Sequence, residues 1–289
     1  MAIVDKLLSG SFDMHIHFSP DSLMERRQDA LALAYSARDS GIRGLVLKAR
    51  EFNTVPLALL VSKLVPEVQV FGSLTLDNEA GGLNPDCVLA AARMGAKVIW
   101  MPTVTAINSK ARTEKSMGFE LPGEGQTILD SGGKLKSEAK EIVQIVKQFD
   151  IVLASGHVSP PETFALAEEA KQIGLTKLVI THALQSQLVD SALSSNDIRQ
   201  LARSGAYIEH SFWGSMPAVS QFDPKQIVES IEATGAEHCI LSSDFGQIYH
   251  PPAPEGFRLF IATLLRKGLG EKEIELMVKT NPAKLLGLS

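Results

Sequence analysis

Short apolar runs rich in β-branched residues alternate with capped or amphipathic helical stretches along the whole chain. This alternation is typical of parallel α/β proteins, because each parallel strand returns to the same edge of the sheet through a crossover, usually a helix. Eight strands are predicted, at residues 12–17, 44–48, 68–76, 97–101, 151–157, 177–182, 206–210 and 239–244. Eight β/α units favour a closed (β/α)8 barrel, the TIM-barrel fold, over an open sheet.

Residues at the predicted helix ends agree with this alternation. Asn84 and Asp223 each stand before a proline, the order expected for an N-cap followed by the first helical residue. Glycine precedes several strands, as expected where a helix ends and the chain returns to the sheet. These glycines are Gly41, Gly95, Gly205 and Gly235. No Gly-x-Gly-x-x-Gly motif follows the first strand, which argues against a dinucleotide-binding sheet.

One segment interrupts the pattern after the fourth strand. From Pro102 to Lys136 the chain is polar and rich in Gly, Ser, Lys and Glu. It is longer than a routine connection, and such segments are usually functional or disordered. A hairpin turn is predicted within it, between Leu129 and Leu135. We therefore expect one barrel domain over residues 1–289, with a long loop after strand four.

Composition narrows the partners of such a barrel. Hydrophobic residues make up 45% of the 289, enough for a large buried core, and the formal net charge is −5 without a Lys/Arg cluster. This charge argues against nucleic acid and anionic membranes as partners. The sequence shows no signal peptide and no apolar run near the ~20 residues of a membrane span. Two lone cysteines, Cys87 and Cys239, indicate a reducing compartment. We expect a cytoplasmic protein with a small-molecule substrate, and homo-oligomerisation stays open.

Polar residues that can carry chemistry collect at the carboxyl ends of the predicted strands, the rim where barrel enzymes place their active sites. These residues are His15, His17, Lys48, His157, His182, Glu209, His210 and Asp244. Five of the seven histidines of the chain belong to this set, so the concentration predicts a functional site.

His15 and His17 are the most informative pair. Residues two apart on a strand face the same side, so both imidazoles can bind one ion. Together with His157, His182 and Asp244, they form a predicted ligand set that is rich in histidine and has one carboxylate. Such a set suits Zn²⁺ and tolerates Fe²⁺, Mn²⁺ or Ni²⁺. We therefore expect a divalent metal, with zinc as the first choice.

The residues Asp13-Met14-His15-Ile16-His17, followed by His157, His182 and Ser243-Asp244 on later strands, resemble the amidohydrolase superfamily. The segment from Thr280 to Gly287 is similar to the C-terminal helix common in that superfamily. The resemblance implies a metal-dependent hydrolase in which His15, His17 and Asp244 bind metal, with His157 and often His182 as further ligands. In mononuclear members, the strand-six histidine instead contacts the attacking water or the substrate.

The chain departs from the superfamily pattern at strand four, so the resemblance leaves open whether one or two ions bind. Many binuclear members carry a carboxylated lysine or a glutamate there, whereas this strand ends in Trp100-Met101-Pro102. Lys48 and Glu209 are candidate substitutes. Lys48 is alternatively a solvated rim residue or a group that binds an oxyanion. Glu209 and His210 are neighbours on one strand, so only one of them can face the site.

The expected reaction is hydrolysis of an amide, lactone or cyclic imide. A bound divalent ion makes its water acidic enough to yield hydroxide near neutral pH. Asp244 is predicted to accept the proton of that water and return it to the leaving group. His182 or Lys48 would help to polarise the scissile carbonyl. Asp13, two residues before His15, is predicted to orient a ligand imidazole.

Three other functions are compatible with parts of this pattern. Non-oxidative decarboxylation resembles what mononuclear relatives with the same ligand set do. An aldolase-like barrel would use Lys48 as a Schiff-base nucleophile, although this leaves the strand-end histidines unexplained. A catalytically degenerate barrel would bind metal or a partner without turnover.

Overall fold

A computed structural model describes residues 2–185 and 192–288 of the chain. In these ranges, eight strands alternate with helices, which confirms the predicted order of elements. The strands are β1 (Phe12–Ile16), β2 (Gly44–Leu47), β3 (Gln69–Phe71 and Ser73–Thr75), β4 (Val98–Trp100), β5 (Val152–Ala154), β6 (Leu178–Ile180), β7 (Tyr207–Ser211) and β8 (Cys239–Ser242). Successive strands pair in parallel from β1 to β8.

The strands close into a barrel. β3 is interrupted at Gly72, so that its first half pairs with β2 and its second half with β4. A Cβ at Gly72 would lie 2.3 Å from the Cα of Val55, so only glycine lets the helix after β2 approach this strand. After β8, the chain meets β1, where the amide of Asp244 donates to the carbonyl of His15 at 2.9 Å. The (β/α)8 barrel predicted from the sequence is therefore confirmed.

The helices pack around the barrel and begin or end at the predicted caps. Asn84 and Asp223 each accept hydrogen bonds from amides of the first helical turn, and the four predicted C-terminal glycines have positive φ. The α-helices are α1 (Ala2–Leu8), α2 (Ala30–Asp39), α3 (Val55–Leu64), α4 (Pro85–Met94), α5 (Ile107–Met117), α6 (Ser137–Gln148), α7 (Pro160–Ile173), α8 (Ser195–Arg203), α9 (Pro224–Thr234), α10 (Ala253–Arg266), α11 (Glu271–Glu275) and α12 (Asn281–Leu285). A π-helical turn, Leu276–Thr280, joins α11 to α12. Within the described ranges, none of these helices has both the length and the apolar character of a bilayer span.

Two buried apolar clusters define the layers of the fold. The larger cluster lies between strands and helices, and the smaller one fills the barrel interior. Alternate strand residues supply the interior, which includes Val46, Val98, Trp100, Val152, Ala154, Val179, Tyr207 and Ile240. Leu285 and Leu286 of the C-terminal segment join the same cluster, and Asn281 donates to backbone carbonyls just before and at the start of β8. The C-terminal helix thus covers the end of the barrel opposite the rim of predicted site residues.

The segment after β4 is more ordered than its composition indicated. It contains α5, and the predicted hairpin turn is confirmed by the antiparallel bridge between Leu129 and Leu135. Asp77, which follows β3, fixes the start of the segment. Its buried carboxylate accepts hydrogen bonds from the amides and hydroxyls of Thr103 and Thr105. A buried carboxylate with four donors is fully satisfied, so the start of this segment is held in place.

Candidate metal centre

The polar residues of the rim follow the strand positions whose side chains face the barrel interior. Lys48, Glu209 and Asp244 each lie two or four positions beyond an interior apolar residue. Because alternate residues face the same side, their side chains meet above the apolar interior. Trp100 lies next to these side chains, with the Nζ atom of Lys48 5.2 Å from the centre of its indole ring.

Three predicted ligands converge at the ends of β1 and β8. The Nε2 atoms of His15 and His17 each lie 3.2 Å from Oδ1 of Asp244. Ligand atoms of the three residues all lie within 4.8 Å of one another. Donors of a tetrahedral zinc site, with bonds of about 2.0–2.1 Å, are about 3.3 Å apart. The spacing of these three residues therefore fits a single small divalent ion.

The backbone is strained at two predicted site residues. Asp244 has a φ of 58° and His182 a φ of 26°, values that residues other than glycine rarely adopt. Such strain costs on the order of 1–3 kcal/mol and persists only where the surrounding structure imposes it. Gly246, with a φ of 150°, permits the close packing beside them, since a Cβ there would lie 2.4 Å from the carbonyl oxygen of His17.

Glu209 orients the imidazole of His15. Its Oε1 lies 3.0 Å from His15 Nδ1, and its Oε2 accepts from the backbone amide of His182 at 3.1 Å. The prediction that Asp13 orients a ligand imidazole is wrong. The carboxylate of Asp13 instead accepts from the backbone amides of His15 and Ser243, so it fixes the ends of β1 and β8 rather than a ring.

Lys48 is buried in the site and is not a solvated rim residue. Its side chain is 4% exposed, and its Nζ lies 2.9 Å from His15 Nε2. The amine therefore stands next to the proposed metal ligands. This position keeps the oxyanion-binding role and the metal-bridging role open and removes the solvated alternative.

His157 and His182 lie in the same pocket but outside the group of three. Their Nε2 atoms are 3.0 Å apart, so one ring donates a hydrogen bond to the other. Ser109 contacts His157 Nδ1 at 3.2 Å, and the rings of His15 and His182 stack with centres 5.9 Å apart. The structure thus divides the five predicted ligands into a convergent group of three and an adjacent histidine pair.

His210 does not reach the site. It is buried, and neither ring nitrogen has a hydrogen-bond partner among the described residues. Burial lowers its pKa to about 4, so the ring is neutral near pH 7. Glu209 faces the site in its place, as strand alternation required.

Burial and neighbouring charges set the protonation of the site. Burial lowers the pKa of His17 to about 3 and that of His182 to about 4, so both rings are neutral near pH 7. Burial alone would raise the pKa of Asp244, but attraction to His15 and the hydrogen bond from His17 hold it well below its ordinary value. Burial also lowers the pKa of Lys48. Neutral imidazoles and an ionised carboxylate are the forms that coordinate a metal, so these residues fit a divalent ion.

His17 and Asp244, but not His15, line a pocket of about 80 Å³ whose wall includes several residues that the sequence analysis missed. Gln185 donates to Asp244 Oδ2 at 3.1 Å, so it holds the second oxygen of that carboxylate. Arg50 also lines the pocket, from the irregular segment that follows β2, where strand alternation no longer marks inward positions. Arg26 comes from the irregular segment after β1, where no periodicity marks an inward position.

The fold is similar to that of solved structures over nearly the whole chain. The probable dipeptidase PvdM from Pseudomonas aeruginosa is 13% identical, with a TM-score of 0.69 over 98% of this chain and 96% of that chain. An amidohydrolase from the same organism is 11% identical, with a TM-score of 0.67 over 98% of both chains. A 2,6-dihydroxybenzoate decarboxylase is 12% identical, with a TM-score of 0.56 over 97% of this chain and 100% of that chain. These likenesses confirm the fold that the resemblance to the amidohydrolase superfamily implied.

No curated protein shows significant sequence similarity to the chain. One protein family matches residues 10–209, about two thirds of the chain. The match covers β1 to β6, most of the rim and four of the five predicted ligands, and it ends before Asp244. The chain therefore belongs to the family described as "Family of unknown function (DUF6282)".

Proposed function

We propose that the protein is a metal-dependent hydrolase that cleaves a C–N or C–O bond in a small amide, lactone or cyclic imide. The observation that carries this proposal is the convergence of His15, His17 and Asp244, whose ligand atoms lie within 4.8 Å of one another, with both histidines 3.2 Å from Asp244 Oδ1. Two of the three, His17 and Asp244, line a pocket at the rim where barrels of this fold carry out catalysis. The fold that the chain shares with structures named as a dipeptidase and an amidohydrolase supports the same reaction class.

We propose one ion per chain, with Zn²⁺ as the first choice. Two histidines and one carboxylate leave a fourth position for water or substrate, the usual arrangement of a catalytic zinc site. When bound, the ion supplies Lewis acidity and lowers the pKa of water. The end of β4 offers neither lysine nor carboxylate as a bridge to a second ion, and Glu209 is engaged with His15.

Asp244 is the proposed general base and, in the second half of the reaction, the general acid. One carboxylate oxygen faces the two histidines, and the other is held by Gln185. The low pKa keeps Asp244 ionised near neutral pH, so it can accept a proton from water and return it to the leaving group.

His182 and Lys48 are the proposed stabilisers of negative charge on the substrate. Both side chains are buried and line the pocket. In a site that excludes water, a fixed N–H donor stabilises a developing oxyanion more strongly than it would in solution. The backbone amide of His182 donates a hydrogen bond to Glu209, and this bond together with the strained backbone holds the ring in place.

His17→Ala tests the proposal. The variant should lose nearly all bound metal on dialysis and lose hydrolysis of whichever amide, lactone or cyclic imide the wild-type protein turns over. His238→Ala, in the short helix before β8 at the opposite rim, is the control and should keep both properties. Full retention of metal and turnover by His17→Ala would contradict the proposal. A wild-type protein that binds metal but hydrolyses none of the amides, lactones and cyclic imides tested would indicate a degenerate scaffold.

Non-oxidative decarboxylation is the second candidate function. It is supported by the fold shared with a structure named as a decarboxylase and by the lack of a bridging ligand at the end of β4. Turnover in ¹⁸O-labelled water separates the two functions, because hydrolysis places the label in the product, whereas decarboxylation releases CO₂ and leaves the product unlabelled.

A further inference from the structure

We propose that Arg26 binds a carboxylate of the substrate beside the reacting bond. This inference rests on the proposed function and narrows its substrates to small molecules that carry a single carboxylate near an amide, ester or imide.

The guanidinium of Arg26 is buried but only partly satisfied. Its side chain is 5% exposed, and its Nε and Nη2 atoms contact Oδ2 of Asp21 at 2.7 and 2.6 Å. The Nη1 atom is also buried and has no hydrogen-bond partner among the described residues. A buried donor without an acceptor costs free energy, and a charged donor costs more. A ligand that supplies an acceptor to Nη1 would therefore be stabilised.

Arg26 is held in the same pocket as the metal centre. It lines the pocket, and its backbone pairs with that of Gln247 in an antiparallel bridge. The next amide, that of Arg27, donates to the carbonyl of Gly246 at 2.7 Å. Gly246 and Gln247 lie two and three residues after the proposed base, Asp244. These contacts fix the backbone of Arg26 beside the pocket, and Asp21 holds its guanidinium, which reduces the entropy lost when a ligand binds.

The surrounding charges favour a ligand with one negative charge over a dianion. Asp21 already pairs with Arg26, while Arg50 pairs with Glu51 at 2.9 Å and also contacts Glu79. The arginines thus carry no excess positive charge that could balance a phosphate dianion. A planar carboxylate matches the N–H groups of a guanidinium and adds a single charge.

Matched probes test this inference directly. N-acetylglycine and N-acetylglycinamide differ in the charged carboxylate and share the rest of the skeleton. Titration calorimetry with the full chain, after EDTA treatment and again with Zn²⁺, should show the acid binding at least about tenfold more tightly than the amide, which corresponds to about 1.4 kcal/mol. Arg26→Gln should reduce this ratio to about one.

Two further variants separate recognition from folding. Arg266→Gln, an exposed residue at the end of α10, should keep the preference. Asp21→Asn breaks the same ion pair but keeps the guanidinium, so it should also keep the preference. Several outcomes would overturn the inference. One is that the wild-type protein binds the two probes equally or does not bind the acid at all. Another is that the preference for the acid survives Arg26→Gln, or that it is lost in Asp21→Asn as well. If the preference depends on Arg26 but the protein binds no Zn²⁺, the proposed metal chemistry is contradicted while the carboxylate subsite is supported.

Discussion

Replacing Glu209 by glutamine should weaken Zn²⁺ binding by about 10- to 100-fold while the barrel stays folded. Glu209 is 3% exposed and accepts hydrogen bonds from His15 Nδ1, the Ser242 hydroxyl and the backbone amide of His182. The contact with His15 keeps the ring proton on Nδ1 and leaves the lone pair of Nε2 directed towards Asp244 and the ion.

The magnitude follows from the hydrogen bonds that glutamine cannot make. With its amide oxygen towards His15, the NH₂ group of glutamine would face the backbone N–H of His182, 3.1 Å from the atom it replaces. With the amide reversed, His15 must carry its proton on Nε2 and loses the lone pair that the ion needs. An unsatisfied buried donor costs about 1–3 kcal/mol. An affinity loss of about 10- to 100-fold corresponds to about 1.4–2.7 kcal/mol, which lies within that range.

Competition with a chromophoric chelator at neutral pH measures this affinity, and calorimetric unfolding in EDTA measures stability. Glu162→Gln is the matched control, because Glu162 is 5% exposed and accepts from Thr127, Ile128 and Ser159 away from the site. It should lose stability and keep Zn²⁺ affinity. A Glu209→Gln protein within twofold of wild-type affinity, or an equal loss in both variants, would refute the role assigned to Glu209.

Three further predictions concern the supporting residues. Burial raises the pKa of Asp13 from 3.8 to about 6, so its contribution to stability is present below pH 3.8 and is lost as pH rises through about 6, a change of ~3 kcal/mol. Asp13→Asn should therefore flatten the pH dependence of unfolding over that window, and an unchanged slope would contradict this. Gly246→Ala should destabilise the fold by at least about 1–3 kcal/mol in urea, because its Cβ would meet the carbonyl of His17. Gly268→Ala also has positive φ but meets open space, so it should cost clearly less. Gln185→Leu frees one oxygen of the proposed base and should lower kcat about tenfold with Zn²⁺ affinity retained; an unchanged kcat would count against this role.

The barrel could be predicted because its determinants are local. Each strand is a short apolar run, and the caps at Asn84 and Asp223 and the glycines between units mark the helix ends. The position of a residue on its strand then decides whether its side chain reaches the catalytic rim. This rule is how His15, His17 and Asp244 could be placed together from sequence alone. The same rule correctly required that Glu209 and His210 face opposite sides.

The remaining features depend on side-chain direction and on irregular backbone. Asp13 lies on the predicted strand, but its carboxylate bonds to backbone amides, a choice that spacing does not reveal. Arg26 comes from a segment without periodicity, and its place is set by the backbone bridge to Gln247. The division of the ligands follows from the hydrogen bond between His157 and His182, which depends on distances of tenths of an ångström.

The most direct test is anomalous diffraction from crystals grown with Zn²⁺, measured on both sides of the zinc absorption edge. A single strong peak bonded to His15 Nε2, His17 Nε2 and Asp244 Oδ1 at about 2.0–2.2 Å is the expected result. A peak at another location, or no peak with these three side chains turned away from one another, would contradict the proposed metal centre and the hydrolase function that depends on it.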